Sequence, residues 1–471
     1  MFKKIFICSL LIIVMLTGLV ACDSFRVEPI EGGLVYKDSI VESNGGLVVK
    51  QGSYLYFVNG LGEYSTPNKF GQVIKGSIMR CELNDDGSIK DKGDDTYVTI
   101  VPKKVLNGYT DGGFYIFGEW IYYVTPTEAK NSSGQVQSQQ YSEFMRTKTD
   151  GTGTEVIKRI AGSSTQYVFM DNTLLLYMNS EIISINCTTK KETTISTDVS
   201  SVIFPRVTFN PEAASADPDN FFYYTKTNPE DETYGSYNQL CASNADGSRN
   251  FIMTDKFTYL PGFDPAGEAL PDFNLIYTFK ILRYENGRIF YTKTGNNGSV
   301  EAGIWSLELN GAFVGEFEFD GKKEEQLSNL NIYSSILPYE DGILAVESSN
   351  IYYVKNGGAD RELIISSLSL TMLEVREGYL YFRESDGKIC RFSIAKDKLK
   401  ETILETAPNM TWLYPEMLGD FIYYIGTPYN YTVQMKIGGG ITAIGKWTTE
   451  DFEASASASA ASSATPTPTS R

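Results

Sequence analysis

The chain has 471 residues, a formal net charge of −17, 31 tyrosines, 42 glycines and no histidine. An acidic surface repels nucleic acid and anionic lipid heads. The missing histidine excludes Ser-His-Asp and Cys-His catalysis and zinc sites of the Cys/His type. Sparse helix signals beside abundant Tyr, Gly, Asn and Thr favour an all-β chain.

The N-terminus reads as an export signal over residues 1–21. Lys3-Lys4 form a positive segment, and Ile5 to Leu16 form an apolar run too short to span a bilayer comfortably. Removing this segment makes the chain more acidic by about two units. Leu19-Val20-Ala21-Cys22 resembles a bacterial lipobox, which implies cleavage before Cys22 and a diacylglyceryl group on its sulfur. Two acyl chains suffice for stable anchoring. An extracytoplasmic protein held at the membrane is therefore expected, with residues 22–33 as connector.

Residues 34–450 carry a repeat. Eight times a two-residue turn precedes an apolar run: Gly52-Ser53, Gly118-Glu119, Asp171-Asn172, Asp219-Asn220, Asn286-Gly287, Asp341-Gly342, Glu377-Gly378 and Gly419-Asp420. Gly, Asn and Asp adopt positive φ at low cost, and aromatic or β-branched runs beside such turns read as strands. Each repeat reads as four short strands, A to D. Such a sheet buries its faces only by stacking on neighbours, so the expected fold is a closed β-propeller of four-stranded antiparallel blades. Eight blades are predicted; seven is the alternative if repeat six, whose B strand Ile343-Leu344-Ala345-Val346 lacks aromatics, is misread. In repeat five the last strand is expected within 313–319, and in repeat eight the first is expected over 411–415.

Cys81, Cys187, Cys241 and Cys390 fall in or just after the third strands of separate repeats. Packed sheets lie about 10 Å apart, beyond the about 7 Å that a disulfide tolerates between Cα atoms, so buried free thiols are expected. No CxxC pair occurs, and no metal or other cofactor is expected. No Gly-rich loop joins a strand to a helix, so nucleotide binding has no support.

Trp120-Ile121-Tyr122-Tyr123, followed by Phe144-Met145-Arg146-Thr147-Lys148-Thr149-Asp150-Gly151, resembles the phrase of a propeller domain of uncharacterised function common in Firmicutes lipoproteins. That domain is similar to the low-density-lipoprotein-receptor propeller. Its phrase is a paired-tyrosine strand, a strand with a basic residue, then Asp-Gly. The resemblance implies a fold and an extracytoplasmic setting, and no catalytic residues.

In a propeller, A–B and C–D turns share one face, and B–C and D–A loops share the other. Most insertions here fall on the second face: 59–76, 102–113, 125–142, 226–238, 255–275 and 294–302. Tyr64, Tyr141, Tyr234, Tyr237, Tyr259, Phe263, Tyr429 and Tyr431 lie on or beside that face. They are the candidate contacts for a protein, peptide or envelope glycan, because tyrosine offers apolar area and a polar tip at low entropy cost. The exception is 205–218, which falls between strands A and B of repeat four on the opposite face. Glu230-Asp231-Glu232 and Asp94-Asp95 read as solvated loop charge, and Asn84-Asp85-Asp86-Gly87-Ser88 reads as a hairpin turn rather than a calcium loop. A binding or scaffolding propeller is the expected function; a carboxylate-based glycosidase or lyase, with acids converging on the channel mouth, is the alternative. Residues 451–471, rich in Ala, Ser, Thr and Pro, read as a flexible tail.

Overall fold

Strand pairing closes every turn-plus-aromatic phrase into a blade of a computed structural model. The structure describes residues 39–60, 76–105, 113–130, 136–161, 166–205, 209–210, 212–231, 235–254, 257–260, 273–295, 302–315, 318–321, 324–330, 332–355, 361–366, 370–385, 388–394, 400–404, 415–426 and 431–445. The expected signal segment, Cys22 with its connector, and the tail lie outside them.

Among the described residues eight antiparallel blade sheets follow in chain order, as the sequence predicts, and only in blade five does a small hairpin intervene between neighbouring strands. Blade two, for example, is Tyr115–Phe117, Trp120–Lys130, Val136–Lys148 and Glu155–Ala161. Repeat six is a full blade over Ser335–Tyr339, Gly342–Glu347, Asn350–Lys355 and Arg361–Ser366, which removes the seven-blade alternative. Aliphatic residues suffice there because Ile343, Leu344 and Ala345 are fully buried between neighbouring sheets. Blade one carries an extra inner strand, Val41–Glu42, beside strand A (Val48–Gln51).

Three expectations are corrected. In blade five, strand D is Glu324–Ser328, not a strand within 313–319. Residues Phe313–Val314 and Glu318–Phe319 instead form a small hairpin in the C–D connection, because Phe313 stacks on Phe221 of blade four at 4.2 Å. Strand A of blade eight is Glu416–Leu418, beyond the expected 411–415. Asp219-Asn220 is no hairpin turn: with Pro218 it forms a 3-10 turn that ends the long A–B insertion of blade four. By contrast, Asn286 and Gly287 both take positive φ, 50° and 72°, as a tight two-residue hairpin requires.

The basic residue of the repeated phrase joins blades. In strand C of blade two, Arg146 is buried and lies over Trp120 at 4.2 Å. It donates to Asn172 Oδ1 (2.9 Å) and Thr188 Oγ1 (3.2 Å) of blade three. Arg80 of blade one lies over Tyr54 at 4.9 Å and reaches the Thr149 carbonyl of blade two at 3.4 Å. The Asp-Gly element has its own cause. Asp86, Asp150 and Asp246 each accept the backbone N–H and the hydroxyl of the residue two ahead, with N···O distances of 3.0, 2.8 and 3.0 Å. This is an Asx-type turn, not a metal loop. Cys81, Cys187, Cys241 and Cys390 are free and buried. Burial pushes the first three thiols up to about 12.

Among the described residues no strand is shared between the first and last blades. The Glu416 carboxylate of blade eight accepts Leu47 N–H (2.5 Å) and Val48 N–H (3.0 Å) of blade one, and the Ser43 hydroxyl at 3.2 Å. Beside it, Leu418, Phe421, Tyr423 and Ile425 join one apolar cluster with Leu55, Phe57 and Ile78. Gly46 and Gly113 are needed nearby: a Cβ on Gly113 would collide with the Gly46 carbonyl, where blades one and two exchange backbone hydrogen bonds. Glu416→Ala leaves two buried amides without this acceptor, at an expected cost of about 3 kcal/mol, read from the midpoint of urea unfolding. A change below about 0.5 kcal/mol would show that the carboxylate does not hold the ring closed.

Candidate functional site

The A–B insertion of blade four reaches the inner edge of blade one. It leaves strand A (Val199–Ile203), and Phe209 then pairs with Val41, the innermost strand of blade one, through two backbone hydrogen bonds of 3.0 Å. The chain returns through the 3-10 turn Pro218–Asn220 into strand B. Its pattern explains the path. Asp217 caps the 3-10 turn by accepting Asp219 N–H at 3.0 Å, with Pro218 at the first position. Phe209 packs edge-on against Phe117 at 4.9 Å.

Several groups pin the return limb. Tyr223 donates its hydroxyl to the Pro218 carbonyl at 2.8 Å, and Tyr284 of blade five donates to Asp219. The two tyrosine rings stack at 4.9 Å. Arg249, in the C–D turn of blade four, donates to the carbonyls of Ser215 (2.5 Å) and Gly315 (2.8 Å).

Beside this insertion lies a cavity of about 360 Å³. One wall is aromatic, from Tyr115, Phe117, Phe169 and Phe209. Tyr115 meets Phe169 at 5.6 Å and Phe117 at 6.4 Å. The other lining is polar and carries Asp171, Asp217, Asp219 and Asp246. This volume is within the range of small-ligand pockets. Burial raises the titration of the Asp219 carboxyl, the Tyr284 hydrogen bond opposes the rise, and Asp217 adds to it.

None of the predicted contact residues that the structure describes lines this cavity. Tyr64, Tyr234, Phe263 and Tyr429 lie outside the described residues. Tyr141 pairs with Thr127 and Tyr237 with Asn228, both on B–C extensions, in blades two and four respectively. Tyr259 pairs with Asn274 on an added inner strand of blade five. Their register puts them toward the B–C and D–A face. Tyr431 opens strand C of blade eight and is 5% exposed, so its ring packs inside the blade. The cavity therefore lies on the face opposite to the predicted one. Its only sequence signal is the single long A–B connection, 205–218. Asp94 and Asp95 sit exposed on a 3-10 turn, as expected of solvated charge. Among the described residues no cluster of His, Cys, Asp or Glu is placed to hold a metal.

No protein-family model and no curated protein sequence matches the chain. Among solved structures it is similar to apo AztD from Citrobacter koseri, at 10% identity, 79% coverage of this chain and 92% of that one, and a TM-score of 0.36. It is also similar to a chain of a nidogen/laminin complex, at 10% identity, 74% and 93% coverage and a TM-score of 0.26. A third likeness is to the tricorn protease, at 12% identity and a TM-score of 0.34, with 78% of this chain covering 34% of that one. Likenesses this distant carry no function over to this chain.

Asp219 yields a signed pH prediction. Its folded titration lies above the ordinary value of about 3.9, so the folded state binds more protons between the two values. Its contribution is then fully present below the ordinary value and is lost as pH rises through the folded one. Asp219→Asn keeps an acceptor for Tyr284 and carries no charge. Its Tm is expected to exceed that of the native protein at about pH 7, with the gap closing toward about pH 4. A gap that does not change with pH would contradict the assignment.

Proposed function

We propose that this protein is a binding propeller held at the cell envelope through lipidated Cys22, and that its ligand occupies the cavity beside the blade-four insertion. The observation that carries the reading is the insertion itself. A 3-10 turn, an arginine and two tyrosines pin its return limb beside a space of about 360 Å³ that the protein leaves unfilled. Holding a long A–B connection open costs chain entropy that a purely structural ring has no need to spend. The anchor is compatible with this placement. Val41 pairs with Gln51, next to the A–B turn of blade one, so the chain from the N-terminal side meets the ring on the cavity's face. A fully extended connector from Cys22 to Val41 reaches about 60 Å, enough to leave the cavity accessible. The ligand is an envelope protein, peptide or glycan.

Affinity capture from detergent-solubilised envelope tests the reading. Ala213 lines the cavity, and Ala213→Trp places an indole in it. The native chain is expected to capture a partner, the folded Ala213→Trp variant to lose it, and a Tyr141→Ala, Tyr237→Ala, Tyr259→Ala variant to keep it. Loss in the tyrosine variant with retention in Ala213→Trp would move the site to the opposite face. Release of reducing sugar from envelope glycans, abolished by Asp219→Asn, would replace binding with carboxylate-based hydrolysis.

A further inference from the structure

The charge inside the cavity is one-sided. Asp171, Asp217, Asp219 and Asp246 line it, and Arg249 is the one basic residue among its lining. Arg249 is already committed: its guanidinium holds the Ser215 and Gly315 carbonyls and lies over Phe221 and Phe251 at 5.1 and 5.3 Å. The aspartates receive only neutral donors. Asp217 takes Asp219 N–H, Asp246 takes Ser248, and Asp219 takes the Tyr284 hydroxyl. None of the four is in an ion pair among the described residues. Four aspartates thus line the cavity with no counter-charge beside them among the described residues, and the chain's net charge of −17 adds to the field. Tyr115, Phe117, Phe169 and Phe209 share the lining with them, and ring faces attract cations.

We propose that the cavity takes an organic cation, an ammonium or guanidinium group on a short apolar stem, with the aromatic wall beside the stem and the aspartates around the charge. This rests on the cavity being the binding site and names the class of ligand it takes. A lysine- or arginine-like side chain fits a space of about 360 Å³. An anion would meet the repulsion of four carboxylates, and a neutral apolar group would gain nothing from them.

Isothermal titration of the full-length mature chain tests this with Nα-acetyl-lysine amide, its neutral isostere Nα-acetyl-norleucine amide, the anionic Nα-acetyl-glutamate amide, and cadaverine. The lysine derivative is expected to bind at least about tenfold more tightly than the norleucine one, a difference of about 1.4 kcal/mol. Its binding should weaken about tenfold in an Asp171→Asn, Asp219→Asn variant that still unfolds cooperatively. Binding of cadaverine as well points to a free amine; binding of the lysine amide alone points to a basic peptide. Equal binding of the norleucine derivative, preference for the glutamate derivative, or no binding by any cation overturns the proposal. If Ala213→Trp abolishes envelope capture while no cation binds, only the ligand class falls. If Ala213→Trp leaves capture unchanged, the site itself falls.

Discussion

Closure without a shared strand is the constraint on which the ring depends. Many rings are locked by completing the last sheet with a strand from the other end of the chain; here, among the described residues, blades one and eight share no strand. The seam between blades eight and one must then be held by side chains. Glu416 supplies acceptors to two backbone amides, and Thr432 adds a hydroxyl that accepts from Gly60 N–H at 2.9 Å and donates to the Val58 carbonyl. A carboxylate accepting backbone N–H groups in a buried site forms charge-assisted bonds, stronger than neutral ones. The apolar cluster across the seam supplies area, and the carboxylate supplies register. The innermost strand of blade one serves the seam and the cavity at once: Ser43 meets Glu416, and Val41 pairs with Phe209 of the blade-four insertion.

The same logic runs round the ring on a smaller scale. Aromatic strands give each blade two apolar faces, but apolar contact alone does not fix how one sheet sits on the next. Arg80 and Arg146, each held over an aromatic ring of its own blade, reach polar groups of the following one. Between blades four and five the half-buried amide of Asn238 mimics a strand, exchanging hydrogen bonds of 3.1 and 2.8 Å with Phe279. Asn44 does the same to Ile116 between blades one and two. Satisfied polar groups of this kind specify register where hydrophobic packing is permissive.

Most of this fold was legible in the sequence because a continuous apolar run beside a turn is a local signal. Turn pairs such as Asn286-Gly287 state their own backbone conformation. Errors came where a local pattern was overruled by a distant partner. Phe313 looked like part of strand D but serves a hairpin that stacks on blade four. Asp219-Asn220 looked like a hairpin turn but closes an insertion anchored by Tyr284, far along the chain. The site was less legible for the same reason. Insertions were weighed by number, which favoured the B–C and D–A face, whereas the cavity owes its shape to one insertion and to rings from blades two and three. Nothing local to Tyr115 or Phe169 says that a loop some forty residues or more downstream will cover them.

The central claim is that the ligand of this propeller lies beside the blade-four insertion. A photoreactive phenylalanine analogue placed at Ala213, inside the cavity, or at Tyr141, on the opposite face, tests it in the native envelope. Cross-linking from position 213 and not from 141 is the predicted result. Cross-linking from 141 alone, or from neither position, would contradict the account.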